Sequence, residues 1–214
     1  MPFDVSELER LANCVATLCR HVPADVVGLT GGVAIELRAA SAGLTSGRRT
    51  LHDVDFIISD YTRIASTVAA DFLIGHYHVP QDRVPRFLLQ LVDVASGLRT
   101  DIFPDLAGSL ERARPVALLR ERVLMLDASD MLEHKLKTLA GASTSNLIDE
   151  KHYRDAVLLA AICGKSILRV SADVLGRDVY GTDVSGVCDR CARSASAAFP
   201  LAPRQAILDV LGYV

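Results

Sequence analysis

The first part of the chain has apolar residues at helical spacing. Positions three or four residues apart lie on one face of a helix. The residues with this spacing are Leu8, Leu11, Val15 and Leu18. They predict an amphipathic helix over residues 4 to 20 that is capped by Asp4 or Ser6.

The next segments alternate between short apolar runs and helical patterns. VVGLTGG predicts a strand that ends in two glycines, and VAIELRAA predicts a helix directly after them. LHDVDFIIS predicts a second strand, and TRIASTVAADFLIGHY predicts a second helix beside the sheet. RFLLQLVDVASGLRTDIF predicts a hairpin around Ala-Ser-Gly.

Helical patterns dominate the second half of the chain. RVLMLD predicts a last strand, and helices are predicted in ASDMLEHKLKTLAG, LIDEKHYRDAVLLAAI, VSGVCDRCARSASAAF and PRQAILDVLGYV. The predicted fold class is therefore α/β (α+β). Residues 1–127 form a mixed sheet with flanking helices, and residues 128–214 form a C-terminal helical domain.

Composition indicates a soluble chain in a reducing compartment. Half of the 214 residues are hydrophobic, but charged residues interrupt every apolar run, so we expect no membrane span. The five cysteines are an odd set, and the start of the chain has no signal-peptide pattern, so we expect a cytoplasmic protein. Cys188 and Cys191 lack the second ligand pair of a structural zinc site, which favours ordinary packing thiols.

Two acids stand at the start of the second predicted strand. Asp53 and Asp55 share one face of that strand, because alternate residues point the same way, while Val54 and Phe56 point to the other face. Neighbouring carboxylates repel each other, and hard divalent ions such as Mg²⁺ prefer oxygen ligands of this kind. The alternative is a solvated strand end with no chemical role.

A third acid follows in the predicted hairpin. Asp101 in LRTDIFPD lies on the return strand, and a neighbouring antiparallel strand would bring it beside the pair. Asp93 and Asp105 are the competing candidates, but both fall at predicted turns. Upstream, the strand, glycine turn and helix of LTGGVAIEL would present backbone N–H groups to an anion such as a triphosphate. A turn that needs glycine only for its backbone geometry is the alternative.

Together, GLTGGVAIEL, RRTLHDVDF and LRTDIF resemble the core of the nucleotidyltransferase superfamily. Its pattern is Gly-Gly or Gly-Ser, then Asp-x-Asp, then a third acid on a later strand. The interval between glycines and acids, together with LEHKLKTLA and KHYRDAVLL, is most similar to the AbiEii toxin branch of bacterial toxin–antitoxin and phage-abortive systems. The resemblance covers about residues 28 to 159.

The resemblance implies a two-metal site. Asp53 and Asp55 would bind both Mg²⁺ or Mn²⁺ ions, and Asp101 would complete the second metal site and help to activate an attacking hydroxyl. Lys135 would act in catalysis by neutralising phosphate charge.

The resemblance also implies a nucleotide site. Gly31 and Gly32 would hold the phosphates of an NTP, and Arg49 and Lys135 would neutralise their charge. Asp155 would order this basic group, although Asp155 paired with a neighbouring basic residue is the alternative. Family members often carry an acid where this chain has His152.

The resulting functional hypothesis is a toxin that transfers NMP from an NTP to RNA and releases pyrophosphate. The expected acceptor is a tRNA 3′ end, and the expected protein partner is a cognate antitoxin. The net charge of −3 favours an antibiotic-modifying enzyme with a small acceptor as the first alternative, because RNA binding depends on phosphate neutralisation. A non-catalytic nucleotide-binding partner is the second alternative.

Overall fold

The computed structural model describes residues 3–44, 50–78, 88–118, 121–142 and 150–165. Its helices are α1 (Val5–Cys19), α2 (Gly31–Ser41), α3 (Val68–Asp71), α4 (Ala128–Ala142) and α5 (Glu150–Ile162). Its strands are β1 (Val27–Thr30), β2 (Asp53–Ile58), β3 (Phe72–His78), β4 (Leu88–Asp93), β5 (Arg99–Pro104), β6 (Arg114–Leu118) and β7 (Glu121–Met125). Short 3-10 helices cover Tyr61–Arg63 and Ser109–Arg112.

The described strands form one seven-stranded mixed sheet in the order β3-β4-β5-β2-β1-β7-β6. Strand β2 pairs antiparallel with β1 and parallel with β5, and β1 also pairs parallel with β7. The β3–β4, β4–β5 and β6–β7 pairs are antiparallel. The predicted fold class, a mixed sheet with flanking helices, is therefore confirmed.

Helix α1 covers one face of the sheet. Asp4 is its N-cap residue, since the Asp4 carboxylate accepts the N–H of Glu7 and the Glu7 carboxylate accepts the N–H of Asp4. The Cys14 Sγ lies 3.3 Å from the Thr100 Oγ1 on β5. Thr100 is paired with Val54 of β2, so α1 lies on the face to which Val54 points.

Several predicted elements are confirmed in the described residues. These are the first helix, the strand and helix around the glycines, the strand with the two acids, the hairpin, the strand in RVLMLD and the two helices that follow it. The last two predicted helices, in VSGVCDRCARSASAAF and PRQAILDVLGYV, lie outside the described residues.

The helix predicted over TRIASTVAADFLIGHY is wrong for most of its length. The segment forms a 3-10 turn, the four-residue helix α3 and then strand β3. Strand β3 lies at the edge of the sheet, and its Leu73, Ile74 and Tyr77 are more than half exposed. Because an edge strand can leave apolar side chains exposed on both faces, this strand lacks the alternation that identifies a half-buried strand.

Strand β6 was not predicted either. It contains Pro115, which argues against a central strand because proline cannot donate a ladder hydrogen bond. Strand β6 lies at the opposite edge of the sheet from β3, where proline is tolerated.

The chain divides into two compact units. The first comprises residues 3–34 and 48–127, and the second comprises residues 35–47 and 128–214. Helix α2 therefore begins in the first unit and continues in the second. In the described part of the chain, no helix is both long and apolar enough to cross a membrane.

Candidate functional site

The three predicted metal-binding acids lie on one face of the sheet. Asp53 and Asp55 are partly exposed, whereas Val54 and Phe56 between and after them are buried on the α1 side. Asp101 is directly opposite Asp55, because β5 pairs with β2 in register. Residues directly opposite each other on paired strands point to the same face, so strand pairing brings Asp101 to the other two acids.

The prediction that an antiparallel strand carries Asp101 to the pair is wrong in its direction. Strand β5 is antiparallel to its hairpin partner β4 but parallel to β2. In the sheet, β5 lies between β4 and β2. Asp101 therefore lies beside Asp55 because β5 pairs with β2, which is distant in sequence, and not because of its pairing with the hairpin partner β4. The expected juxtaposition arises despite the different direction.

Arg99 is the counter-ion of this acidic cluster. It lies on the same face as Asp101, two residues away, and is paired across the strands with Asp53. Its Nη2 donates a hydrogen bond to Asp53 Oδ2, and its Nε lies 3.2 Å from Asp101 Oδ1. One guanidinium group therefore forms ion pairs with two of the three acids.

Asp101 is the most buried of the three acids, with 6% of its surface exposed. Burial raises the pKa of the Asp101 carboxyl above its ordinary value, against the opposing effects of the Arg99 charge and of a hydrogen bond with Gln90. The Asp101 Oδ1 is buried and accepts no well-formed hydrogen bond from the described residues, although Arg99 lies beside it. Because burial raises its pKa, the Asp101 carboxyl binds a proton more readily than an exposed acid.

The predicted glycine turn lies directly against the acids. Thr30 at the end of β1 is paired with Asp55, and Gly31, the next residue, begins α2 with a φ of 65°. A Cβ atom at Gly31 would lie 1.9 Å from the Asp55 Oδ2. The first N–H groups of a helix have no acceptor within it, so the Gly31 and Gly32 end of α2 suits an anion bound close to Asp55.

The two competing acids have structural roles. Asp93 at the end of β4 accepts hydrogen bonds from the backbone N–H and the hydroxyl of Ser96, and so holds the hairpin turn. Asp105 accepts the backbone N–H groups of Ser109 and Leu110, at 2.8 and 2.9 Å. Both acids therefore lie beside turns, where the sequence predicted them, and their carboxylates accept hydrogen bonds from the turn residues.

The second unit contains the predicted basic group. The Nζ of Lys135 on α4 donates a hydrogen bond to the Asp155 Oδ2 on α5, at 3.1 Å, and lies 3.3 Å from the His152 Nδ1. Asp155 is 1% exposed, so its charge is buried against Lys135. This contact matches the predicted pairing of Lys135 with Asp155, whereas a role toward nucleotide stays a prediction. The predicted phosphate ligand Arg49 and the pair Cys188 and Cys191 lie outside the described residues.

The donor set fits a divalent cation in its chemistry, but Arg99 forms ion pairs with two of the three acids. Among the residues that the structure describes, no group of three or more His, Cys, Asp or Glu side chains already holds the geometry of a metal site. Three carboxylates on one face, one with a buried oxygen that accepts no hydrogen bond, are nevertheless the hard oxygen ligands that Mg²⁺ or Mn²⁺ prefers. Asp53, Asp55 and Asp101 are therefore the residues that could hold the ion.

Sequence reasoning did not identify Arg99 or Gln90. The signal for Arg99 was available, because it stands two residues before Asp101 and strand alternation places both on one face. Gln90 could not be found in this way. Its position opposite Asp101 depends on the register of the β4–β5 hairpin, which is fixed by the turn.

Comparisons with known proteins give similarity in structure alone. No protein-family model and no curated protein matches the chain. The chain is similar to an antigenic nucleotidyltransferase-like protein from Paracoccidioides brasiliensis, with 14% identity, a TM-score of 0.46, and coverage of 100% of this chain and 95% of that one. It is also similar to JHP933 from Helicobacter pylori, with 13% identity, a TM-score of 0.38, and coverage of 92% and 94% respectively. These similarities do not assign a family or an activity to the chain.

Proposed function

We propose that the chain is a metal-dependent nucleotidyltransferase. In this reaction an acceptor hydroxyl attacks the α-phosphorus of an NTP, and pyrophosphate leaves. The observation that supports the proposal best is the convergence of Asp53, Asp55 and Asp101 on one sheet face beside Gly31. Reactions of this type require positioning and charge neutralisation more than covalent chemistry.

Each residue of the cluster has a distinct proposed role. Asp53 and Asp55 would hold Mg²⁺ or Mn²⁺, which neutralises phosphate charge and orients the triphosphate. The backbone N–H groups at Gly31 and Gly32 would bind the phosphates of the leaving group. Asp101, opposite Asp55 on β5, would complete the metal site and help to activate the attacking hydroxyl.

We propose RNA, with a tRNA 3′ end as the first candidate, as the acceptor. The resemblance of the sequence motifs to AbiEii toxins supports this choice, and it also suggests a toxic effect that a cognate antitoxin relieves. Lys135, held by Asp155, would bind nucleotide phosphate in this reaction. Arg49 would contribute a second positive charge.

The transfer assay uses the full chain with each labelled NTP, Mg²⁺ and total RNA. We expect label in RNA with one nucleotide or a subset of them. Asp53→Asn should reduce transfer by about 100-fold or more, because it removes a ligand charge from the site. Asp25→Asn, which changes an exposed acid just before β1, is the matched control and should retain full transfer. No labelled RNA with any of the four nucleotides would contradict the RNA proposal.

A small-molecule acceptor is the second candidate function, and the net charge of −3 favours it. The two acceptors differ in their salt dependence. The affinity for RNA falls steeply with salt, because protein cations displace counterions from the phosphates. A KM for the acceptor that stays constant between about 50 and about 200 mM salt would favour the small molecule.

A further inference from the structure

Arg99 occupies a position between the acids where a metal ion would be expected to act. Its guanidinium group contacts Asp53 on one side and Asp101 on the other. The Arg99–Asp53 ion pair connects β5 with β2 at directly paired positions, and the Arg99–Asp101 ion pair lies within β5, between residues two positions apart on one face. Its positive charge offsets the repulsion that two carboxylates on one face exert on each other.

The two acids bound by Arg99 have very different environments. The Asp53 side chain is 36% exposed and that of Arg99 is 47% exposed, whereas that of Asp101 is 9% exposed. The Asp101 Oδ1 faces Arg99 without a well-formed hydrogen bond from the described residues. The buried Oδ1 of Asp101 therefore depends on the ion pair with a half-exposed cation for compensation of its charge.

We propose that Arg99 is a resident counter-cation that a divalent metal ion must displace from Asp53 and Asp101. This inference rests on the proposed function, because it assigns the same three acids to the metal. In the metal-free protein, Arg99 stabilises the fold by neutralising the acids. When the metal binds, the positive charge of Arg99 opposes it, and the wild-type affinity for metal is weakened as a result.

The proposal predicts opposite effects of one substitution on two measurements. Arg99→Gln should lower the melting temperature of the metal-free protein by about 2–4 °C, because the half-exposed ion pair with Asp53 and the ion pair with the buried Asp101 are lost. The same substitution should tighten the binding of Mn²⁺ by about tenfold, since one unit of opposing charge within a few ångströms is removed. A purely structural role for Arg99 would lower stability without improving the binding of metal.

Isothermal titration of the full chain with MnCl₂, in the absence of nucleotide, measures this affinity. Arg99→Lys keeps the charge but cannot bridge two carboxylates with a planar fork, so its affinity should lie between those of the wild type and Arg99→Gln. If Arg99→Gln fails to fold, Arg99→Lys still tests the proposal by binding Mn²⁺ more tightly than the wild type. Arg20→Gln removes an exposed Arg–Asp pair elsewhere in the first unit and should leave the affinity unchanged.

The outcomes separate this inference from the proposed function. If the wild type binds Mn²⁺ and neither Arg99 variant binds it more tightly, the counter-cation role is wrong while the metal site stands. If no variant binds Mn²⁺, both are wrong. If the variants bind more tightly but the wild type transfers no nucleotide to any acceptor, the counter-cation role stands and the proposed reaction is wrong.

Discussion

Gly31 meets two requirements that only glycine satisfies at this position. Its φ of 65° is unfavourable for residues with a side chain, and its Cα is packed against the Asp55 carboxylate. A side chain at this position would move one of the proposed metal ligands. The glycine therefore links the backbone geometry of the turn directly to the acidic cluster.

The substitution Gly31→Ala should be much more damaging than the same change at another left-handed glycine. The added Cβ would lie 1.9 Å from the Asp55 Oδ2, so we expect a loss of about 2–4 kcal/mol in the free energy of unfolding. Gly97→Ala is the matched control, because Gly97 has a φ of 66° and nothing within 4 Å of its added Cβ. It should lose only about 1–2 kcal/mol.

Urea denaturation measures both changes, and the transfer assay measures their effect on activity. Gly31→Ala should also abolish transfer because Asp55 is displaced, whereas Gly97→Ala should retain it. Equal losses of stability in the two variants would show that contact with Asp55 contributes nothing.

At the level of elements, the sequence predicts those parts that bury one face and end at clear signals. Helix α1, the β1–α2 turn and strand β2 are of this kind, since apolar spacing, paired glycines and alternating acids each specify one structure. Strands β3 and β6 cannot be predicted in this way, because both lie at sheet edges, where burial no longer determines which residues are apolar.

The candidate site is predictable for the same reason up to a limit. The alternation within β2 and the order along the chain identify the three acids. The parallel pairing of β2 with β5, however, is determined by the tertiary fold. Local sequence contains no signal for which strand will be the neighbour. The ion pairs of Arg99 and the position of Gln90 follow from that pairing, which explains why both were missed.

The capping box of α1 gives a test at this scale. Asp4→Ala should lower the free energy of unfolding by about 1 kcal/mol, because the Glu7 N–H loses its acceptor at the helix N-terminus. Ser6→Ala is the control, since the exposed Ser6 hydroxyl only donates to Asp4, and should change stability by less than about 0.5 kcal/mol. Chemical denaturation measures the free energy of unfolding of both variants. Equal losses would show that Ser6 contributes to the N-cap as much as Asp4.

At the level of the whole molecule, helix α2 belongs to both compact units. Its first residues group with the sheet, and residues 35–47 group with residues 128–214. Ile35, Glu36 and Ala39 on the later part of α2 are each 1% exposed. These three buried residues therefore group with the part of the chain that follows Asp127.

A fragment of residues 1–127 should consequently not fold into a well-packed domain. We expect it to bind a hydrophobic dye and to unfold without a cooperative transition, because the buried residues Ile35 and Ala39 group with the second unit, most of which the fragment lacks. Ile35→Gln should reduce dye binding by the fragment, yet it should destabilise the full chain by about 3 kcal/mol, where the same position is buried. Dye fluorescence and thermal unfolding are measured for the fragment and the full chain, each with and without Ile35→Gln. The substitution should reduce dye binding in the fragment and reduce stability in the full chain. A fragment that unfolds cooperatively without binding dye would show that the sheet unit is stable without the second part of the chain.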